Sequence, residues 1–132
     1  MHDILISKLD GYALAYAVAM VEGLEVVIVP PQYGNPHRTF IVKRGKVTNW
    51  HELYDPVNRW AQAGPLLDKH HIEFMAQVDG QVGAFAYRSD QPVAEGLRGK
   101  GFGPNRRIAA LRAIVATKNN TTAQIPPELW QE

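Results

Sequence analysis

The sequence predicts an α+β fold, a small antiparallel sheet of hairpins packed against an N-terminal and a C-terminal helix. Three observations lead there. Apolar residues recur at helical spacing near each end, and β-branched runs broken by turn residues fill the middle. The 132 residues, 45% hydrophobic and 20% charged, are enough to bury a core, and the whole chain (1–132) is expected to form one domain.

The first helix is predicted over Gly11 to Glu22, where Leu9, Ala13, Tyr16, Ala17, Met20 and Val21 fall on one stripe. Asp10 suits the N-cap and Gly23 the stop. Leu24 to Val29 reads as a strand ended by Pro30-Pro31, with a loop to Pro36. Thr39 to Lys43 and Lys46 to Trp50 flank a tight turn at Arg44-Gly45, and Ile72 to Val78 and Gln81 to Arg88 flank Asp79-Gly80. Pro65 is expected to open a short helix over Leu66 and Leu67. Glycine density from Ser89 to Gly103 predicts a long surface loop. Pro104 starts the second helix, with Ile108, Ala109, Leu111 and Val115 inward, and Pro126 to Trp130 closes with a short turn.

Fourteen basic against 13 acidic residues leave a net charge of +1, which excludes a general polycation but not a basic face. With no cysteine there is no disulfide, thiolate zinc site or cysteine nucleophile. Met1 to Ser7 lacks the basic start and long apolar run of a signal peptide, and no apolar run approaches the roughly 20 residues of a membrane span. A cytoplasmic protein without a membrane partner is expected.

The most suggestive segment runs from Gly96 to Arg107. Its glycines allow close backbone approach to an anion, and the helix N-terminus behind them offers free N–H groups. Between Gly96 and Lys118 stand six basic residues and no acidic one, although the glycine-lysine-serine/threonine ending of a P-loop is missing. Trp60, Trp50, Tyr54 and Tyr33 are stacking candidates, at least two of them expected in the core. Arg59 adds a charge beside Trp60. His70-His71 is expected to be solvent-exposed rather than metal-ligating, because adjacent side chains diverge. Serine is confined to Ser7 and Ser89, and no catalytic constellation is complete.

Three blocks of residues resemble the NinX-like proteins of bacteriophages. Leu9 to Ala19 with Glu22-Gly23 is similar to the family's opening helix, with Ala15 where an aspartate is common. Tyr54-Asp55-Pro56 and Trp60-Ala61-Gln62-Ala63-Gly64-Pro65 resemble its central signature, with Val57, Asn58, Arg59 and Ala63 departing from it. Gly103-Pro104 leading into Ile108 to Ala113 is similar to its closing helix. The resemblance implies a phage or prophage accessory protein inside a bacterial host, and it supplies no reaction.

Residues and resemblance together point to a binding protein rather than an enzyme, one that needs no cofactor or metal. The expected ligand is a small phosphate-bearing nucleotide, a host immune signal, held by Tyr54, Arg59, Trp60, Gln62, Gly64, Lys100, Gly103, Asn105, Arg106 and Arg107. A homo-oligomer is expected, since small domains often build such sites between copies. The alternative is a nucleic-acid-associated factor in phage replication or recombination. Docking on a host or phage enzyme through Trp130, and hydrolysis of the bound nucleotide, are further readings.

Overall fold

The computed structural model describes residues 1–87 and 98–130. In chain order the described elements are strand β1 (His2–Leu5), a 3-10 turn (Ile6–Lys8), helix α1 (Gly11–Val21), strands β2 (Val26–Val29), β3 (Arg38–Arg44) and β4 (Asn49–Leu53), helix α2 (Trp60–Lys69), strands β5 (Glu73–Val78), β6 (Gln81–Tyr87) and β7 (Arg98–Gly103), helix α3 (Arg106–Ala116), strand β8 (Thr122–Ile125) and a closing 3-10 turn (Pro127–Leu129). The expected α+β class is what forms, but the sheet is three small antiparallel sheets, ordered β1-β8, β2-β3-β4 and β5-β6-β7.

Helix α1 starts where Asp10 caps it, accepting the Gly11 amide at 2.7 Å, and stops at Gly23, whose φ of +70° suits glycine. The expected single stripe is wrong in one respect. Ala13 to Ala19 are all buried, so α1 is a central helix apolar on nearly every side, while Met20 is exposed. Thr39 on β3 donates its hydroxyl to the Tyr12 carbonyl at 3.0 Å and ties the β2-β3-β4 sheet to this helix.

Asp79-Gly80 makes the predicted turn, both residues at positive φ. The other hairpin differs: β3 and β4 pair Arg44 with Asn49, so the connection spans residues 45–48 rather than a tight turn at Arg44-Gly45. A side chain at Gly45 would collide with Trp50 at 2.9 Å, and the turn folds back tightly on itself. Helix α2 begins at Trp60, and Pro65 lies inside it rather than opening it.

The largest correction concerns the glycines. The 89–97 part of the expected loop lies outside the described residues, but 98–103 is a strand paired with β6, placing Gly99 opposite Ala86, Gly101 opposite Ala84 and Gly103 opposite Val82. These residues share one face of the sheet, and α3 lies directly on it. A Cβ on Gly99 would stand 2.6 Å from the Thr117 amide, one on Gly103 would stand 2.9 Å from Ile108, and one on Gly101 would meet the backbone of Ala109 and Ala113. Absent side chains here admit a helix. The alternating residues Lys100 and Phe102 occupy the opposite face of the strand.

The core lies between α1, α3 and these sheets, centred on Leu9, Leu14, Leu111, Ile114 and Ile125. Ile108, Ala109, Leu111 and Val115 are buried as expected. No helix of the described residues is long and apolar enough to cross a membrane.

Candidate functional site

Asn105 caps α3, its side chain accepting the Ile108 amide at 2.9 Å. The first intrahelical bond is made by the Ala109 amide to the Asn105 carbonyl, so the amides of Arg106 and Arg107 precede the ladder at the positive end of the helix dipole. The two side chains settle on rings from neighbouring elements. The Arg107 guanidinium lies 4.8 Å from the Trp60 ring centroid, and that of Arg106 lies 5.6 Å from Phe74. Trp60 is 54% exposed and Phe74 40%, so both rings keep open surface. Among the described residues no carboxylate pairs with either arginine.

Arg59, exposed, precedes Trp60 as the residue at the mouth of α2, and its carbonyl accepts the Gln62 and Ala63 amides. Gly64 stands one turn beyond Trp60 on the same flank, where an added Cβ would meet open space. The surface beside the indole is therefore bare.

Other expected site residues sit elsewhere. Tyr54 is buried, and burial, followed by the nearby Glu22 charge, holds its phenol far above the ordinary value. Gln62 spends both ends of its amide on the backbone, accepting from the Asp55 amide at 2.6 Å and donating to the Leu53 carbonyl at 2.7 Å. It clamps β4 to α2. Lys100 lies on the far face of β7, 5.1 Å from the Phe102 centroid and 5.8 Å from that of Phe85. Gly103 faces Ile108. The structure brings together Arg59, Trp60, Gly64, Asn105, Arg106 and Arg107. It does not bring Tyr54, Gln62, Lys100 or Gly103 into that group. Of the four aromatic candidates Tyr54 alone is buried, while Trp50 and Tyr33 are exposed like Trp60, against the expectation of two in the core. Trp130 is partly buried against the core rather than standing free as a peg.

His70 also departs from expectation. It is 1% exposed, with Nδ1 2.9 Å from the Tyr87 carbonyl and Nε2 2.8 Å from Glu22. Lys69 donates to the other oxygen of the same carboxylate at 2.8 Å. Burial raises the Glu22 pKa, but the hydrogen bonds from His70 and Lys69 outweigh it and leave the carboxyl below its ordinary value. Glu22 lines a cleft of about 360 Å³ with Lys43, Glu52, Tyr54, Gln62 and Lys69, where Lys43 and Glu52 pair at 3.6 Å. Every charge in that cleft has an opposite partner. A larger concavity of about 550 Å³ is lined by Asp10, Tyr12, His37, Glu128 and Trp130, with carboxylates and neither lysine nor arginine. Its sign is wrong for a phosphate. Among the described residues, positive charge without a carboxylate partner stands beside half-exposed aromatic rings at the start of α3. Phe74 was the one member the sequence reading overlooked, and its pattern position on a strand gave no hint of the arginine above it.

The chain is an α+β domain with a cationic and aromatic surface at the start of α3. The chain belongs to the phage family described as Bacteriophage P22, NinX, whose model matches residues 5–118. No curated protein matches it.

Proposed function

We propose that this phage accessory protein captures a small phosphate-bearing nucleotide, a host immune signal, and withholds it from its receptor. The observation that carries the reading is the Arg107 guanidinium stacked on half-exposed Trp60, with Arg106 on Phe74 and, among the described residues, no carboxylate pairing either. A base would stack on the indole while a phosphate takes the two guanidinium groups and the first amides of α3.

Magnitudes argue for a second copy. Stacking contributes about 1–3 kcal/mol per base, and each charge-assisted hydrogen bond about 1.5–3 kcal/mol. Micromolar affinity needs about 8 kcal/mol after the cost of association, which one open surface barely supplies. A homo-oligomer closing over the ligand makes up the difference.

Calorimetry against cyclic and adenine-derived nucleotides, with Trp fluorescence and chromatographic mass measured in parallel, tests this. Binding is expected to be lost in Trp60→Ala and Arg107→Gln. Flat responses from folded protein across the panel reject the idea. The openness of the surface favours a second reading, an accessory factor for single-stranded nucleic acid in replication or recombination, with Trp60 and Phe74 as stacking platforms. Retarded single-stranded probes at moderate salt, without nucleotide binding, would select it.

A further inference from the structure

We propose that the cleft between the β2-β3-β4 sheet and α2 takes a small uncharged ring compound carrying a carbonyl and an N–H side by side, with the Tyr54 hydroxyl and the Glu22 carboxylate as its hydrogen-bond partners. Tyr54 is 5% exposed, yet its hydroxyl has no hydrogen-bond partner among the described residues. Nor is that hydroxyl sealed in the core, because among those residues Arg38 Nε is the one fully buried side-chain nitrogen or oxygen without a partner. It opens into a cleft of about 360 Å³, within the roughly 300–1,000 Å³ of small-molecule sites. The hydroxyl of a packed tyrosine ordinarily finds a partner in the protein, so one left to a cleft is a bond held ready for a guest.

Glu22 lines the same cleft and acts on the phenol directly. Burial, then the Glu22 charge, keeps the hydroxyl protonated at working pH, so its proton is available to a guest carbonyl. The Glu22 side chain is 6% exposed and fixed in place, with Lys69 at one oxygen and His70 at the other. Each oxygen keeps a lone pair for one more donor.

Charge selects the guest. The cleft holds two carboxylates and two ammonium groups, paired as Glu22 with Lys69 and Glu52 with Lys43. An ionic guest would face a like charge in either pair, whereas an uncharged one disturbs neither. Gln62 offers nothing, since both ends of its amide are spent on the backbone. The guest therefore accepts from Tyr54 and donates to Glu22, which is the pattern of a lactam or a primary amide. Ile41, Pro65 and Leu66 give its ring an apolar wall. None of Trp60, Arg106 and Arg107 lines the cleft, so the inference does not rest on the nucleotide reading.

Calorimetry and amide chemical-shift mapping of the full chain test this with four probes. Uracil carries the lactam and nicotinamide the primary amide. N,N′-dimethyluracil keeps the carbonyls without the N–H, and nicotinate replaces the amide by a charge. Shifts are expected at Leu24, Tyr54 and Leu66, and whichever of uracil and nicotinamide produces them identifies the group recognised. The dimethylated and charged probes should bind about tenfold more weakly. Tyr54→Phe removes a hydroxyl that bonds to nothing in the protein, so the melting temperature should hold while affinity for the guest falls about fivefold. Absent shifts at millimolar uracil and nicotinamide overturn the proposal, as does N,N′-dimethyluracil or nicotinate binding as tightly as its parent. Unchanged affinity in Tyr54→Phe, or a lowered melting temperature, overturns it by showing that the hydroxyl serves the protein and not a guest. Shifts confined to Arg106 and Arg107 overturn it too, assigning the ring to the start of α3.

Discussion

At the scale of single residues, Glu22 and His70 show how a neighbour distant in sequence decides chemistry. The Tyr87 carbonyl and the Glu22 carboxylate stand one at each ring nitrogen of His70, at 2.9 and 2.8 Å. The triad joins the end of α1, the end of α2 and β6. Removing one partner of a fully buried pair costs about 3–5 kcal/mol. The half-exposed Lys69 arm softens that, and Glu22→Gln is expected to cost about 1–3 kcal/mol near neutral pH, read from denaturant midpoints. The pKa of Glu22 is depressed in the folded state. Its contribution is therefore complete above the unfolded carboxylate pKa and is lost as pH falls through the lower folded value. The gap between wild type and variant should close on acidification, and a gap that stays constant to strongly acid pH contradicts the ion pair. Adjacent histidines in the sequence carry no sign of this, because Glu22 lies 48 residues from His70.

At the scale of elements, β7 and α3 form one unit whose spacing is set by missing side chains. Glycine density is compatible with a loose loop or with close packing. The period distinguishes them: glycines at 99, 101 and 103 alternate with Lys100 and Phe102, which is strand spacing with one bare face. Gly99→Ala and Gly101→Ala would each push a methyl into the backbone of α3, where the Cβ falls inside 3.0 Å of helix atoms. Overpacking typically costs about 1–3 kcal/mol, and against backbone rather than a flexible side chain the upper end is expected in thermal unfolding. An unchanged melting temperature would mean that α3 does not sit there. Asn105→Ala belongs to the same scale: loss of the cap should cost about 1 kcal/mol. The sequence pattern put the helix start at Pro104, whereas the helix begins at Arg106 with Asn105 as its cap, because a proline at the first helical position and one just before the cap look alike in sequence. The close approach of β7 was not readable in sequence, because the partner helix is a tertiary fact.

At the scale of the whole molecule, the two ends of the described chain are joined. β1 pairs with β8 from His2 opposite Ile125 to Leu5 opposite Thr122 and buries Ile4 and Ile6, with the turn that follows, against the core. Deleting residues 1–5 exposes the edge of β8 and removes Ile4, a loss of about 1.5–3 kcal/mol from that side chain alone. The melting temperature should fall and protease should cut first near β8. A truncated protein as stable as the full chain would show that the pairing contributes nothing. The same large-scale view separates two concavities by charge: one paired and one acidic.

Local chemistry in the amino-acid order was sufficient for the α+β class, both terminal helices with the Asp10 cap of the first, the Asp79-Gly80 turn and the kinship with a phage family, because each depends on residues within a few positions of one another. Three-dimensional packing alone decided that Trp60 meets Arg107 while Tyr54 and Gln62 are taken into the scaffold, that His70 is interior, and that glycines expected around an anion serve a helix instead. Those outcomes depend on burial and on which charges end up opposed, and both are properties of surfaces brought together by folding rather than of the order of residues along the chain.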